Sequence, residues 1–159
     1  MLFRSEPYNN NYYIVQTKDY VTIMAELNHE VRIIPIDGRP HLPAGVTQWV
    51  GDSRGKWEGD TLVVETTGFN GKLWLDQIGH PTTDKLRVTE RFTRTHYGHL
   101  RIDVTIDDPG AYSRPFTATY TATLEPDSEI MEYICIENNQ YGLAQGKNLP
   151  LTGGNSTIK

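Results

Sequence analysis

Residues Lys85–Thr95 read KLRVTERFTRT, and the way this stretch alternates decides the expected fold. Leu86, Val88 and Phe92 fall on one side of a two-residue repeat, the signature of a half-buried β-strand. Glu90 falls on the same side. A carboxylate turned toward an apolar interior must be neutralised, paired or hydrogen-bonded, because burying an isolated charge is costly. Desolvation raises the pKa of such a group and a neighbouring cation lowers it. Glu90 is therefore either a structural lock, paired with an arginine such as Arg32 or Arg114, or a general acid or base.

Similar short runs recur on both sides. Tyr12–Thr17 and Tyr20–Leu27 flank Lys18-Asp19, and Val31–Ile36 contains Pro35, which cannot donate to a ladder and marks an edge or strand end. GKWEGDTLVVETT reads as a hairpin turning at Glu58-Gly59-Asp60. After HYGH, the residues Leu100, Ile102, Val104 and Ile106 alternate with polar neighbours, and Asp108-Pro109-Gly110 forms a turn. Phe116, Ala118, Tyr120, Ala122 and Leu124 alternate with threonines, and Ile130–Glu137 is expected to close the series. No segment carries a sustained helical period. About eight or nine short strands predict an all-β fold, an antiparallel β-barrel or strongly curved sheet of lipocalin-like form, since closure removes exposed edges. The expected organisation is one barrel domain over residues 1–141 and an irregular C-terminal tail over 142–159, with the loops Asp37–Gly55 and Gly68–Asp84 forming one rim.

The chain has 159 residues, enough for one sizeable core. A net charge of −5 and scattered basic residues exclude a generic nucleic-acid binder. The single Cys135 excludes an internal disulfide framework and a Cys-rich zinc site, and it is expected to pack in the sheet. No apolar run is long enough to span a bilayer.

The block DGRPHLPAGVTQWVGDSRGKWEGDTLVVETTGF, with NNNYYIVQT before it and VTERFTR and DPGAYSRPFTATY after it, resembles a family of uncharacterised environmental bacterial proteins. Members often carry an export signal and extend further at the N-terminus. The resemblance runs from about Tyr8 to Tyr141 and implies export of the full-length gene product, to the periplasm or beyond, without implying an activity. Related chains read Cys-His-Glu where this one has Cys135-Ile136-Glu137. Gly55-Lys56-Trp57 also looks like the Gly-x-Trp signature of lipocalin-type barrels, whose Trp plugs the closed end.

Further candidate groups follow from residue type and parity. Glu132 lies with Ile130, Ile134 and Ile136, and two inward carboxylates make an acid/base pair of the kind glycosidases use. Glu26 sits near a strand end, where solvation is the default. His29 and His41 bracket VRIIPIDGRP; with a carboxylate they could hold a divalent metal, although their spacing favours turn hydrogen bonding. Arg39 beside His41 is a candidate carboxylate clamp, or a brace for its turn with Asp37. Trp49, Trp57 and Trp74 are candidates for stacking on a ligand, and Ser53 lacks a nucleophile elbow.

Three functions are compatible with these features. One is an acid/base hydrolase, lyase or isomerase acting on a small organic or glycosidic molecule. In it, Glu90 is the acid or base, His29, His41 or Glu132 its partner, and Arg39, Arg32, Trp49 and Trp57 hold substrate. The second is a non-catalytic lipocalin-like binder of a small ligand. The third is a self-assembling homo-oligomeric module that uses its sheet edges.

Overall fold

The computed structural model describes residues 11–76 and 78–132. Eight strands follow in chain order: β1 Tyr12–Gln16, β2 Tyr20–Ala25, β3 Val31–Pro35, β4 Asp52–Glu58, β5 Thr61–Thr67, β6 Arg87–His96, β7 His99–Asp107 and β8 Phe116–Thr123. One 3-10 turn, Leu27–His29, joins β2 to β3. Every ladder is antiparallel and every pair is adjacent in sequence, giving a three-stranded sheet β1-β2-β3 and a five-stranded sheet β4-β5-β6-β7-β8.

The expected all-β class holds, and the closed barrel does not. Among the described residues no ladder joins β3 to β4 or β8 to β1. The sheets meet face to face instead: Val21, Ile23 and Ile34 of the small sheet pack on Leu62, Val64 and Phe92 of the large one. Two features of the chain account for this. Pro35 ends β3 without an N–H to extend the ladder. Gly55 then lets the small sheet sit directly on β4, since a Cβ there would lie 2.8 Å from Ile36 Cγ2 and 3.0 Å from Ile34 Cγ2. Gly55-Lys56-Trp57 is therefore a close-packing site, not a barrel plug, and Trp57 is 45% exposed.

The large sheet has two faces of different chemistry. Outside, Arg91 and Lys56 both pair with Glu58, and Arg87 pairs with Glu65. The aliphatic stems of Lys56 and Arg91, the register partners of Val63, cover that residue and bury it. Inside, the half not covered by the small sheet is covered by the loop after β5. Its Phe69 and Leu86 pack with Val88, Val104 and Ile106. Ile102 touches both apolar clusters.

Asp108 fixes that loop. It is 1% exposed. Its carboxylate accepts from the Thr83 N–H at 2.6 Å, the Thr83 hydroxyl and the Gly110 N–H at 3.0 Å. The loops before β4 and after β5 are joined directly: the Gln48 N–H donates to Gly68 O at 2.8 Å and the Asn70 N–H to Gln48 O at 2.9 Å.

The series does not close as the sequence suggests. Ile130–Glu132 is irregular rather than extended in a ladder, and residues 133–137, Cys135 among them, lie outside the described residues. So do residues 1–10 and the tail 142–159. No described helix is long and apolar enough to cross a membrane.

Candidate functional site

Strand parity sets the centre of the site. On β6, Val88, Glu90 and Phe92 are buried; on β3, Arg32 and Ile34 are. Glu90 thus points from the large sheet and Arg32 from the small one, and they meet between the sheets at 2.7 Å with side chains 8% and 7% exposed. Arg32, and not Arg114, is the partner. The pair lies at the junction of the two apolar clusters, with Val88 belonging to one and Phe92 to the other.

The contact is a close ion pair without the alignment of a hydrogen bond through Glu90 Oε2. That atom is buried and has no hydrogen-bond partner among the described residues, and the same is true of Arg32 Nε and Glu30 Oε1. Tyr12 of β1 stands beside them. Burial pushes its phenol up, the Glu90 charge adds to that, Arg32 opposes it, and Glu30 and Tyr120 raise it further. Tyr12 is nevertheless 41% exposed, whereas the unpartnered atoms of Glu90, Arg32 and Glu30 are buried.

An apolar cleft of about 220 Å³ opens between the sheets next to this cluster. Ile14, Val21 and Ile23 form one wall, Leu62, Phe92 and Leu100 the other, and Trp57, Gln16, Asp60 and Arg94 also line it. Two of its wall residues neighbour the ion pair along the strands, Ile23 as the register partner of Arg32 and Phe92 two residues beyond Glu90, while neither Arg32 nor Glu90 lines the cleft. A second, polar gap of about 140 Å³ lies between β3 and the start of β4, lined by Arg32, Gln48, Asp52 and Ser53 among others.

The other candidates are dispersed. His41 Nδ1 is 2.9 Å from Asp52 Oδ2 and its Nε2 is 3.4 Å from Glu65 Oε1, so both ring nitrogens are occupied. Burial pushes the Asp52 carboxyl up, but the Leu42 N–H, His41 and Arg54 outweigh it and hold the group below its ordinary value. This cluster braces the loop before β4.

His29 is exposed, in the left-handed region at φ 50°, and its side chain has no hydrogen bond or ion pair among the described residues. It is not brought to His41, and no described group of three His, Cys, Asp or Glu residues could hold a metal. Arg39 braces its turn: it pairs with Asp37, donates to Tyr20 Oη at 2.8 Å, and holds the exposed Asp37 carboxyl down at about 2.

Trp49 is 56% exposed and does not line the cleft. Glu132 is exposed, because strand parity has no force once the chain has left its ladder. Glu26, expected in solvent, is 3% exposed and accepts from Asn11 Nδ2 at 2.7 Å.

Sequence reasoning missed Asp108 and Tyr12. The Asp-Pro-Gly turn signalled the first, without signalling its burial. Nothing in the local pattern around Tyr12 marks it as the neighbour of Glu90.

No family model, characterised protein or solved structure matches the chain. The class is therefore defined by fold and site alone. This is an antiparallel two-sheet protein with an open apolar cleft and a buried ion pair between its sheets.

Proposed function

We propose that this chain binds a small organic molecule in the cleft between its sheets. The observation that carries the reading is the cleft itself: about 220 Å³ of space between apolar walls, with Trp57 half-exposed beside it. Drug-sized ligands occupy pockets of roughly 300–1,000 Å³. The ligand here is accordingly one ring or a short chain. Gln16, Asp60 and Arg94 of its lining supply orientation, as polar groups do in most small-molecule sites.

Acid/base catalysis by Glu90 is less well supported. Glu90 already has a cation at 2.7 Å, and neither His41, held by Asp52 and Glu65, nor the exposed His29 is paired with it. Self-assembly has one observation in its favour, the exposed Tyr12, Tyr13, Ile14 and Val15 of edge strand β1. That edge leads into the cleft through Ile14, so the binding reading already accounts for part of it.

A thermal-shift screen of single-ring and short-chain molecules tests the proposal. A ligand present at about 100 times its Kd adds about 2.7 kcal/mol, which corresponds to roughly 5–10 °C in melting temperature for a domain of this size. Ile14→Trp fills the cleft from a half-exposed position and is expected to abolish the shift without lowering the ligand-free melting temperature. An equal shift in that variant contradicts the cleft as the site.

A further inference from the structure

The cleft between the sheets changes chemistry toward one end. On β6 the wall residue Phe92 is followed two positions later by Arg94, and on β1 Ile14 is followed by Gln16. Steps of two along a strand keep side chains on one face. Asp60 precedes Leu62 by the same step, at the turn into β5. The ladder brings the two charges to the same end: Leu62 is the register partner of Phe92 and Thr61 of Thr93, so Asp60 and Arg94 stand just beyond those pairs on adjacent chain segments. All six of these residues, three apolar and three polar, line the cleft.

The charges at this end are not matched to each other. Arg94 is held by the turn between β6 and β7, where its Nε and Nη2 donate to Tyr97 O and its guanidinium lies 4.9 Å from the centre of the Tyr97 ring. A carbonyl and a ring leave the guanidinium without a counter-charge, and its Nη1 has no hydrogen-bond partner among the described residues. The side chains of Asp60 and Gln16 make no hydrogen bond or ion pair among the described residues. Elsewhere on the same strand the sheet matches its charges, Arg87 with Glu65 and Arg91 with Glu58. The unmatched pair is the one that lines the cleft.

A ligand that answers both charges carries an ammonium and a carboxylate close together at one end of an apolar body. An α-amino acid has both on a single carbon. Its ammonium supplies N–H donors for the Asp60 carboxylate and the Gln16 amide oxygen. Its carboxylate suits the guanidinium of Arg94. Its side chain then lies between Ile14, Leu62 and Phe92.

We infer that Asp60, Arg94 and Gln16 form the head-group end of the cleft and select a free α-amino acid whose side chain is one ring or a short apolar chain. This rests on the cleft being the binding site, and the test separates the two. The full chain is titrated calorimetrically with phenylalanine, 2-phenylethylammonium and 3-phenylpropionate, which share an apolar body and carry both charges, the positive one alone or the negative one alone. Phenylalanine is expected to bind about fivefold more tightly than either analogue, near the upper end for one exposed ion pair. Asp60→Asn is expected to remove its advantage over 3-phenylpropionate, and Arg94→Gln its advantage over 2-phenylethylammonium.

Both residues are exposed, so both variants are expected to keep the parent's ligand-free melting temperature. Because Arg94 also holds the β6–β7 turn, Asp60→Asn, which leaves that turn intact, is the deciding variant. Equal affinity for the three probes, lost together in Ile14→Trp, keeps the cleft and overturns the amino-acid inference. A single-charge analogue that binds as tightly as phenylalanine overturns it too, as does an advantage over 3-phenylpropionate that survives Asp60→Asn. If none of the three binds, this inference falls and the thermal-shift screen alone decides the cleft.

Discussion

Two carboxylates lie on or beside the inner face of the large sheet, Glu90 at 6% exposure and Asp108 at 1%, and they are treated differently. Asp108 receives two backbone N–H groups and one hydroxyl, all from residues that it holds in place. Glu90 receives one guanidinium from the other sheet and keeps a buried oxygen without a hydrogen bond among the described residues. A fully satisfied buried group acts as a structural fastener. Glu90 instead joins the two sheets through a single charge pair. That difference separates a local brace from a bridge between sheets.

The comparison can be broken most forcefully at the ion pair. Glu90→Ala leaves the Arg32 charge buried and unpaired, and a loss of about 3–5 kcal/mol is expected in urea denaturation. Replacing both partners, Arg32→Met with Glu90→Leu, removes the charges together and is expected to leave stability near or above that of the parent. Asp108→Ala is expected to cost about 3–5 kcal/mol, below the plain sum of three hydrogen bonds to a charged group at roughly 1.5–3 kcal/mol each, because contributions within one network do not add. No single apolar replacement elsewhere restores it, because the Thr83 and Gly110 N–H groups remain. If the double replacement at the ion pair is as damaging as Asp108→Ala, the two carboxylates are alike and the contrast fails.

Smaller effects sharpen the picture of how the sheets meet. Gly55→Ala places a methyl against Ile34 and Ile36, and overpacking of this kind costs roughly 1–3 kcal/mol by the same denaturation measurement. An unchanged midpoint contradicts close packing at that point.

The acid limb of stability reports the brace at Asp52. Its folded-state pKa is depressed, so its contribution is present above the unfolded value, about 3.9, and is lost as pH falls through the folded one. Asp52→Asn is expected to be less stable than the parent at pH 7 and to show a shallower fall in stability between pH 5 and pH 2. An identical slope for both proteins contradicts the brace.

Much of this architecture was legible in local pattern. The two-residue repeat placed Val88, Glu90 and Phe92 inward together, Pro35 marked the end of β3, and Glu58-Gly59-Asp60 marked the hairpin. Barrel closure was misjudged because it depends on how two edges approach each other, which no single strand encodes. Gly55 permits that approach, because a Cβ there would meet Ile34 of the other sheet and Ile36 just beyond it.

The site was half legible for the same reason. Parity gave Glu90 and suggested Arg32 or Arg114, whereas the choice of Arg32 depends on how β3 packs over β6. Glu132 failed because the repeat was extended past the last ladder. The spacing of His29 and His41 favoured turn hydrogen bonding, and His41 makes such a bond to Asp52; residue type and spacing do not report which carboxylate a ring nitrogen meets.

The central proposal is that the cleft walled by Ile14, Val21, Ile23, Leu62, Phe92 and Leu100 takes up a small apolar molecule. Its most direct test is calorimetric titration of the screened molecule that raises the melting temperature most, into the parent and into Ile14→Trp. The expected result is an affinity reduced at least tenfold in Ile14→Trp with an unchanged ligand-free melting temperature. Undiminished affinity in the folded variant would contradict the proposal.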